Sequence, residues 1–282
     1  MRARHSPYRR CQSFAFVLAL ALAFSCESVR GAEKASPSPK IETRRPRPES
    51  LTRRGWEDFR SPVTTDASYA LIAGGAATAI LSVFKNHLDN PNAKAIADRK
   101  PLGQFSKTGD LSGQLIPNGL YFAGMLAHGL LASDSKSESR AYLMLRASLH
   151  ATVAATLLKH TVREPRPNNG GDLTSFPSGH SADAFAFAAV VGAEHGWYFG
   201  APAYALASFV AFSRGNDGVH FYRDVMAGAT IGISYGLGIC MRERQRKAVN
   251  GNSTAADREG VSLALLPFDD LSGMALALRT NL

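Results

Sequence analysis

From residue 67 to residue 241 the chain alternates long apolar runs with short polar breaks. Six segments carry the pattern: 67–84, 115–132, 140–160, 181–195, 197–213 and 224–241. Each is rich in Ala and Leu, is interspersed with Gly, and has helical length. The fold class this implies is all-α, a compact six-helix bundle. The flanks read differently. Residues 33–62 carry Pro37, Pro39, Pro46 and Pro48 among Ser, Arg and Glu, a composition that cannot bury apolar surface and predicts a disordered basic tether. After the basic tract from Arg242 to Lys247 comes a polar linker, 248–260. Alternation then returns at Val261, Leu263 and Leu265, and again at Met274, Leu276 and Leu278. With a turn at Asp269–Gly273 between them, this predicts a β-hairpin tail over 261–282. A lone hairpin is marginal in water and would need a docking surface.

The first 32 residues read as an export signal. Arg2, Arg4, Arg9 and Arg10 form a basic start, Phe14 to Phe24 an apolar stretch too short to span a bilayer, and small residues follow. Cleavage falls after Ser25 or after Ala32, with Ala32 preferred. The bundle domain then occupies 63–247.

Net charge is +9 and invites a nucleic-acid reading, but its distribution removes it. Residues 1–60 hold 13 Lys and Arg against 6 Asp and Glu, whereas the remainder holds 19 against 17. The bundle therefore carries no basic stripe for nucleic acid. Three cysteines give neither a disulfide framework nor a metal site, and Cys240, inside an apolar run, reads as a small buried hydrophobe.

The candidate chemistry lies in three short stretches within 66 residues: Lys159-x6-Arg166-Pro167, then Pro177-Ser178-Gly179-His180, then Ser213-Arg214-x5-His220-x3-Asp224. A phosphoryl group in transfer carries charge on its equatorial oxygens, so a site for it needs positioned cations and N–H donors. Arg166 and Arg214 offer planar forks and Lys159 a point charge. Pro165 and Pro167 hold the intervening loop extended. Ser178 suits a helix N-cap, Gly179 admits close approach, and the N–H groups behind them form an anion site. His220 and Asp224, four apart, share one helix face, so the carboxylate can orient the ring. Taken singly, each stretch also fits solvated helix ends, a capped helix start or a structural His–Asp pair. No nucleotide loop and no metal-ligating cluster is present, and no cofactor is expected.

Together the three stretches resemble the type-2 phosphatidic acid phosphatase and vanadium haloperoxidase superfamily, over roughly Asp66 to Met241. That family includes membrane-associated lipid phosphatases and bacterial class A acid phosphatases. The resemblance implies that His220 is the nucleophile, that Asp224 orients it, and that His180 protonates the leaving oxygen and later activates water. It also implies that Lys159, Arg166, Ser178, Gly179 and Arg214 cradle the phosphate. Arg163 and Arg223 are candidate outer cations. His87, His128, His150, His160 and His195 match no signature position and read as structural or surface groups.

The expected activity is a metal-independent phosphatase of the cell envelope, acting on phosphate monoesters or pyrophosphates. The expected substrate is a lipid phosphate such as phosphatidate, prenyl pyrophosphate or lipid A. A soluble periplasmic acid phosphatase is the alternative. A vanadate-dependent haloperoxidase is third, since that family's peroxidases are much larger. Phe185, Phe187, Tyr204, Phe209 and Phe212 are candidates for an acyl groove, although core packing accounts for them better. Mean hydropathy of −0.10 and charges inside several segments speak against membrane spans. So does topology: if residue 33 is exported and every segment crosses, the site falls in the cytoplasm and the basic tract outside. The sequence therefore favours an exported bundle, periplasmic or peripherally held to a membrane, over six spans.

Overall fold

All six apolar segments are helices in the computed structural model, which describes residues 51–168, 171–255, 262–267 and 274–279. They are α3 (Ala67–Val83), α6 (Ile116–Ala132), α7 (Ser135–Val162), α8 (Gly179–His195), α9 (Trp197–Asn216) and α10 (Tyr222–Ala255). Four more helices join them among the described residues: α1 (Leu51–Phe59), α2 (Ser61–Thr64), α4 (Asn90–Arg99) and α5 (Ser106–Ser112). The helix count is thus ten, where the apolar pattern implied six. Short amphipathic helices lack the long apolar run on which that reading relied. Two antiparallel strands, β1 (Ser262–Pro267) and β2 (Met274–Arg279), pair Leu263 with Leu278 and Leu265 with Leu276. The expected export signal and most of the tether lie outside the described residues.

Two boundaries differ from expectation. Residues 51–62, assigned to the tether, are helical and pinned. Asp58 is buried and accepts two hydrogen bonds from Arg146, at 2.6 and 2.7 Å. Arg146 also donates to Glu243, which binds Arg54 as well. The basic tract does not stop a helix either. α10 runs on to Ala255, and Arg246 pairs with Glu57 at 2.7 Å. In both cases long-range ion pairs, which local composition does not report, decided the outcome.

The core is built of small residues. Ala147, Ala151 and Ala155 of α7 meet Ala182, Ala186 and Val190 of α8, with Ile239 and Cys240 of α10. α8 packs against α7, α9 and α10. The α8–α10 approach is close enough that a Cβ on Gly228 or Gly232 would lie 2.2 Å from a carbonyl oxygen of α8's first turns. Large apolar side chains point the other way. Tyr142, Leu145, Leu149, Val153 and Leu157 of α7 are exposed at helical spacing, as are Tyr69, Ile72 and Ile80 of α3. Small residues inside and Leu, Ile and Val outside is the packing that a bilayer rewards and water does not. Ser135–Val162 and Tyr222–Val249 are each long and apolar enough to cross a membrane. Two bent pairs, α3 with the segment to Arg99 and Gly103–Ser112 with α6, raise the number to four if each is one span. Membrane location thus fits this surface better than the periplasmic or peripherally held bundle expected from mean hydropathy, which averages the charged termini with the helices.

Candidate active site

Four helix ends meet at one end of the bundle. α7 arrives with Lys159, α8 departs from Ser178, α9 arrives with Arg214, and α10 departs just after His220. The three sequence stretches are therefore neighbours because the helices alternate in direction. The opposite end is marked by the ion pairs Arg140–Glu194 and Arg146–Glu243.

The loop between α7 and α8 is held by the residues it carries. Lys159 Nζ donates to the carbonyls of Thr174 and Pro177 at 2.8 and 2.7 Å, so this lysine fixes the loop that precedes α8 as well as adding charge. Arg166 Nε lies 2.8 Å from Asp172 Oδ2, and its Nη2 donates to Thr174 Oγ1. Ser178 caps α8, its Oγ accepting from Ser181 N and Ser181 Oγ. Its own N–H donates to Asp224 O at 2.9 Å, which ties the start of α8 to the start of α10. Gly179 opens α8 beside the Lys159 side chain.

His220 is buried, and its Nδ1 lies 3.7 Å from Asp224 Oδ2. That is an ion-pair distance and not a hydrogen bond. The carboxylate is engaged elsewhere: Oδ2 accepts from Ser175 Oγ at 2.6 Å and from Phe221 N at 2.9 Å. Burial lowers the pKa of His220, opposed by Asp224 and reinforced by the nearby charges of Lys159 and Arg166. Nδ1 is the ring nitrogen that lies nearest the carboxylate. His180 is pushed down to about 4, first by burial and then by Arg214, against the pull of Asp110. Both histidines lie outside the candidate spans.

Sequence reasoning missed several participants. Asp110 on α5 accepts from Arg214 Nη1 at 2.5 Å and lies 3.1 Å from His180 Nε2. Asp89 accepts from Tyr222 N and from Arg223 Nη1 at 2.8 and 2.6 Å, anchoring the start of α10. Arg223 also donates to Glu164 and lies over the Phe221 ring at 4.1 Å. These partners make it a pin between α10, Asp89 and Glu164. Arg163 closes α7 in a left-handed conformation. Only Glu164, inside the Arg-Glu-Pro-Arg-Pro loop, had a nearby sequence signal. Of the unassigned histidines, His195 meets Tyr121 Oη at 2.7 Å and His150 donates to Arg146 O at 2.7 Å. Phe185, Phe187 and Tyr204 pack against the core. Among the described residues, no cluster of three or more His, Cys, Asp or Glu side chains is placed to hold a metal ion.

Chemically, the arrangement offers two arginines and a lysine for a multiply charged anion. It adds a capped helix start and two imidazoles on one locus. Residues 141–247 match the model of the PAP2 superfamily. A lipid A 1-phosphatase of Porphyromonas gingivalis is 40% identical over 82 residues, which are 28% of this chain and 18% of that protein. The match thus spans less than a fifth of that relative's length. The crystal structure of Aquifex aeolicus LpxE is similar with a TM-score of 0.45 and 27% identity, over 55% of this chain and 95% of that one. The transmembrane PAP2-type phosphatidylglycerolphosphate phosphatase of Bacillus subtilis gives a TM-score of 0.37 and 21% identity, over 70% and 95%.

Proposed function

We propose that this chain is a membrane-embedded phosphatase that hydrolyses the phosphate monoester of a lipid through a phosphohistidine. The observation that carries the reading is the convergence of Lys159, Arg166, Ser178, His180, Arg214, His220 and Asp224 on four adjoining helix ends. His220 Nε2 attacks phosphorus, forming the N–P bond as the P–O bond to the leaving group breaks. His180 gives its Nε2 proton to the departing oxygen. Water then attacks phosphorus, His180 takes the water's proton, and the N–P bond breaks to release phosphate and a neutral His220. Asp224 offsets the positive charge His220 carries as the phosphohistidine. Lys159, Arg166, Arg214 and the amides that open α8 meet the equatorial charge. The likeness to a lipid A 1-phosphatase and the outward apolar faces favour a lipid over a soluble ester, and lipid A 1-phosphate is the first substrate to test.

We further infer that the site faces away from the cytoplasm. α10 runs from the site to the tract at Arg242–Lys247, which therefore sits at the opposite end, with Arg53 and Arg54. On the positive-inside tendency that end is cytoplasmic. Lys159, Arg166, Arg214 and Arg223 are engaged in the site and carry no topological information. The conflict seen in the sequence arises only if residue 33 is exported. It disappears when α1 lies on the cytoplasmic face.

The test is phosphoenzyme trapping with a 32P-labelled lipid monoester on detergent-purified protein. An acid-labile, base-stable adduct that is lost in His220→Ala, with turnover that survives chelators, is expected. Turnover in His220→Ala, or activity lost to a chelator and restored by a divalent ion, would overturn the reading.

A further inference from the structure

Asp110 belongs to none of the three motifs, yet α5 delivers its carboxylate into the site. Oδ1 accepts from Arg214 Nη1 and lies 3.1 Å from His180 Nε2, off the N–H axis, while Oδ2 accepts from Gln114 Nε2 at 3.0 Å. Two close approaches hold α5 there. A Cβ on Gly109 would lie 2.4 Å from Ser213 Oγ, and one on Gly113 2.6 Å from His180 Cδ2. Neither position takes a side chain without lifting α5, and Asp110 with it, off the site.

This carboxylate does not need to leave when a phosphoryl group arrives. Arg214 is buried, its Nε has no hydrogen-bond partner, and its Nη2 is 3.9 Å from Asp217. Nε and Nη2 remain for a phosphate while Nη1 stays with Asp110. A negative charge then stands beside the bound phosphoryl group, on the side of His180. If His180 is the group that protonates the leaving oxygen, the atoms attached to that oxygen come next to Asp110.

We propose that Asp110 selects the leaving group, disfavouring one that is itself anionic and favouring a neutral, hydroxyl-bearing one. A diphosphate ester cleaved at its terminal phosphate leaves as a charged monophosphate, which the carboxylate repels in a partly desolvated setting. A sugar or glycerol alcohol brings hydroxyls that can donate to it. Asp110 thereby makes the site a monoesterase in preference to a diphosphatase. The inference rests on the phosphatase reading and names the substrate class within it.

The experiment compares kcat/KM of the full chain for phosphatidate and for farnesyl diphosphate. In Asp110→Asn, which keeps the side chain's shape and removes its charge, the monoester-to-diphosphate ratio is expected to fall about tenfold. Asp110→Ser should shift the same way, and Asp110→Glu should keep the preference. An unchanged or higher ratio in the neutral variants overturns the proposal. Calorimetric binding of inorganic phosphate and inorganic pyrophosphate separates the two readings. If the wild type hydrolyses neither of these esters nor lipid A 1-phosphate, the phosphatase reading fails. The binding ratio still decides Asp110: a roughly tenfold relative gain for pyrophosphate in Asp110→Asn supports it, and no gain sinks it.

Discussion

In the proposed mechanism His180 sets the proton requirement of the site. Burial and Arg214 hold its imidazole down to about 4, so above that pH the ring is neutral before phosphate binds. A bound phosphate dianion adds negative charge nearby and raises the value. Between about pH 5 and 7, binding should therefore take up a proton, and affinity should weaken as pH rises. Calorimetry of inorganic phosphate in two buffers of different ionisation enthalpy measures this, with His180→Asn as the reference that removes the ring's share. Equal proton uptake in both proteins would refute it. The same depressed value has a stability consequence of fixed sign. The unfolded chain binds a proton near the ordinary histidine value of about 6.5 that the folded one refuses, so stability is lost as pH falls from there towards 4. At this scale the motif residues were readable, because their types and spacing encode the chemistry. Asp89 and Asp110 were not, since each acts on a residue more than a hundred positions away.

At the scale of elements, ion pairs decide where α1 belongs. Asp58 is 1% exposed and faces Arg146, which also holds Glu243. Arg146→Ala would strand a buried carboxylate and is expected to cost about 3 to 5 kcal/mol, the range for breaking a buried pair. Thermal unfolding in detergent checks it. The double variant Asp58→Leu with Arg146→Met should recover most of the loss, because the fully buried Asp58 charge goes with its partner and Glu243 keeps Arg54. A double variant no more stable than Arg146→Ala would show that the helices need the pair for more than charge balance. Composition called 51–62 a tether because Arg, Glu and Asp there look solvated. Their partners on α7 and α10 make them a fastening, and no local window contains both halves.

The whole molecule places two polar ends around a belt of outward Leu, Ile and Val. Lys107, exposed on α5, and Lys247, exposed on α10, report on the two ends. With Cys11 and Cys26 replaced by Ser and Cys240 buried, Lys107→Cys should react with a membrane-impermeant maleimide on intact cells. Lys247→Cys should react only after permeabilisation. The reverse pattern would place the site in the cytoplasm and remove the topology proposed here. Mean hydropathy pointed away from a membrane because it is blind to direction. Leu149 and Ala151 count as apolar alike, but one faces out and the other is fully buried.

The sequence by itself determined the six long helices, the cap at Ser178 and the set of groups offered to phosphate. Each of these depends on residues within a few turns of one another, where periodicity and side-chain chemistry act directly. Tertiary structure alone decided that α1 is part of the bundle and that large side chains face outward. It also decided that Asp224 spends its hydrogen bonds on Ser175 and Phe221 N and stands 3.7 Å from His220. Those outcomes depend on which helix end meets which, and that is fixed by close contacts such as Gly228 and Gly232 against α8, between segments distant in the chain.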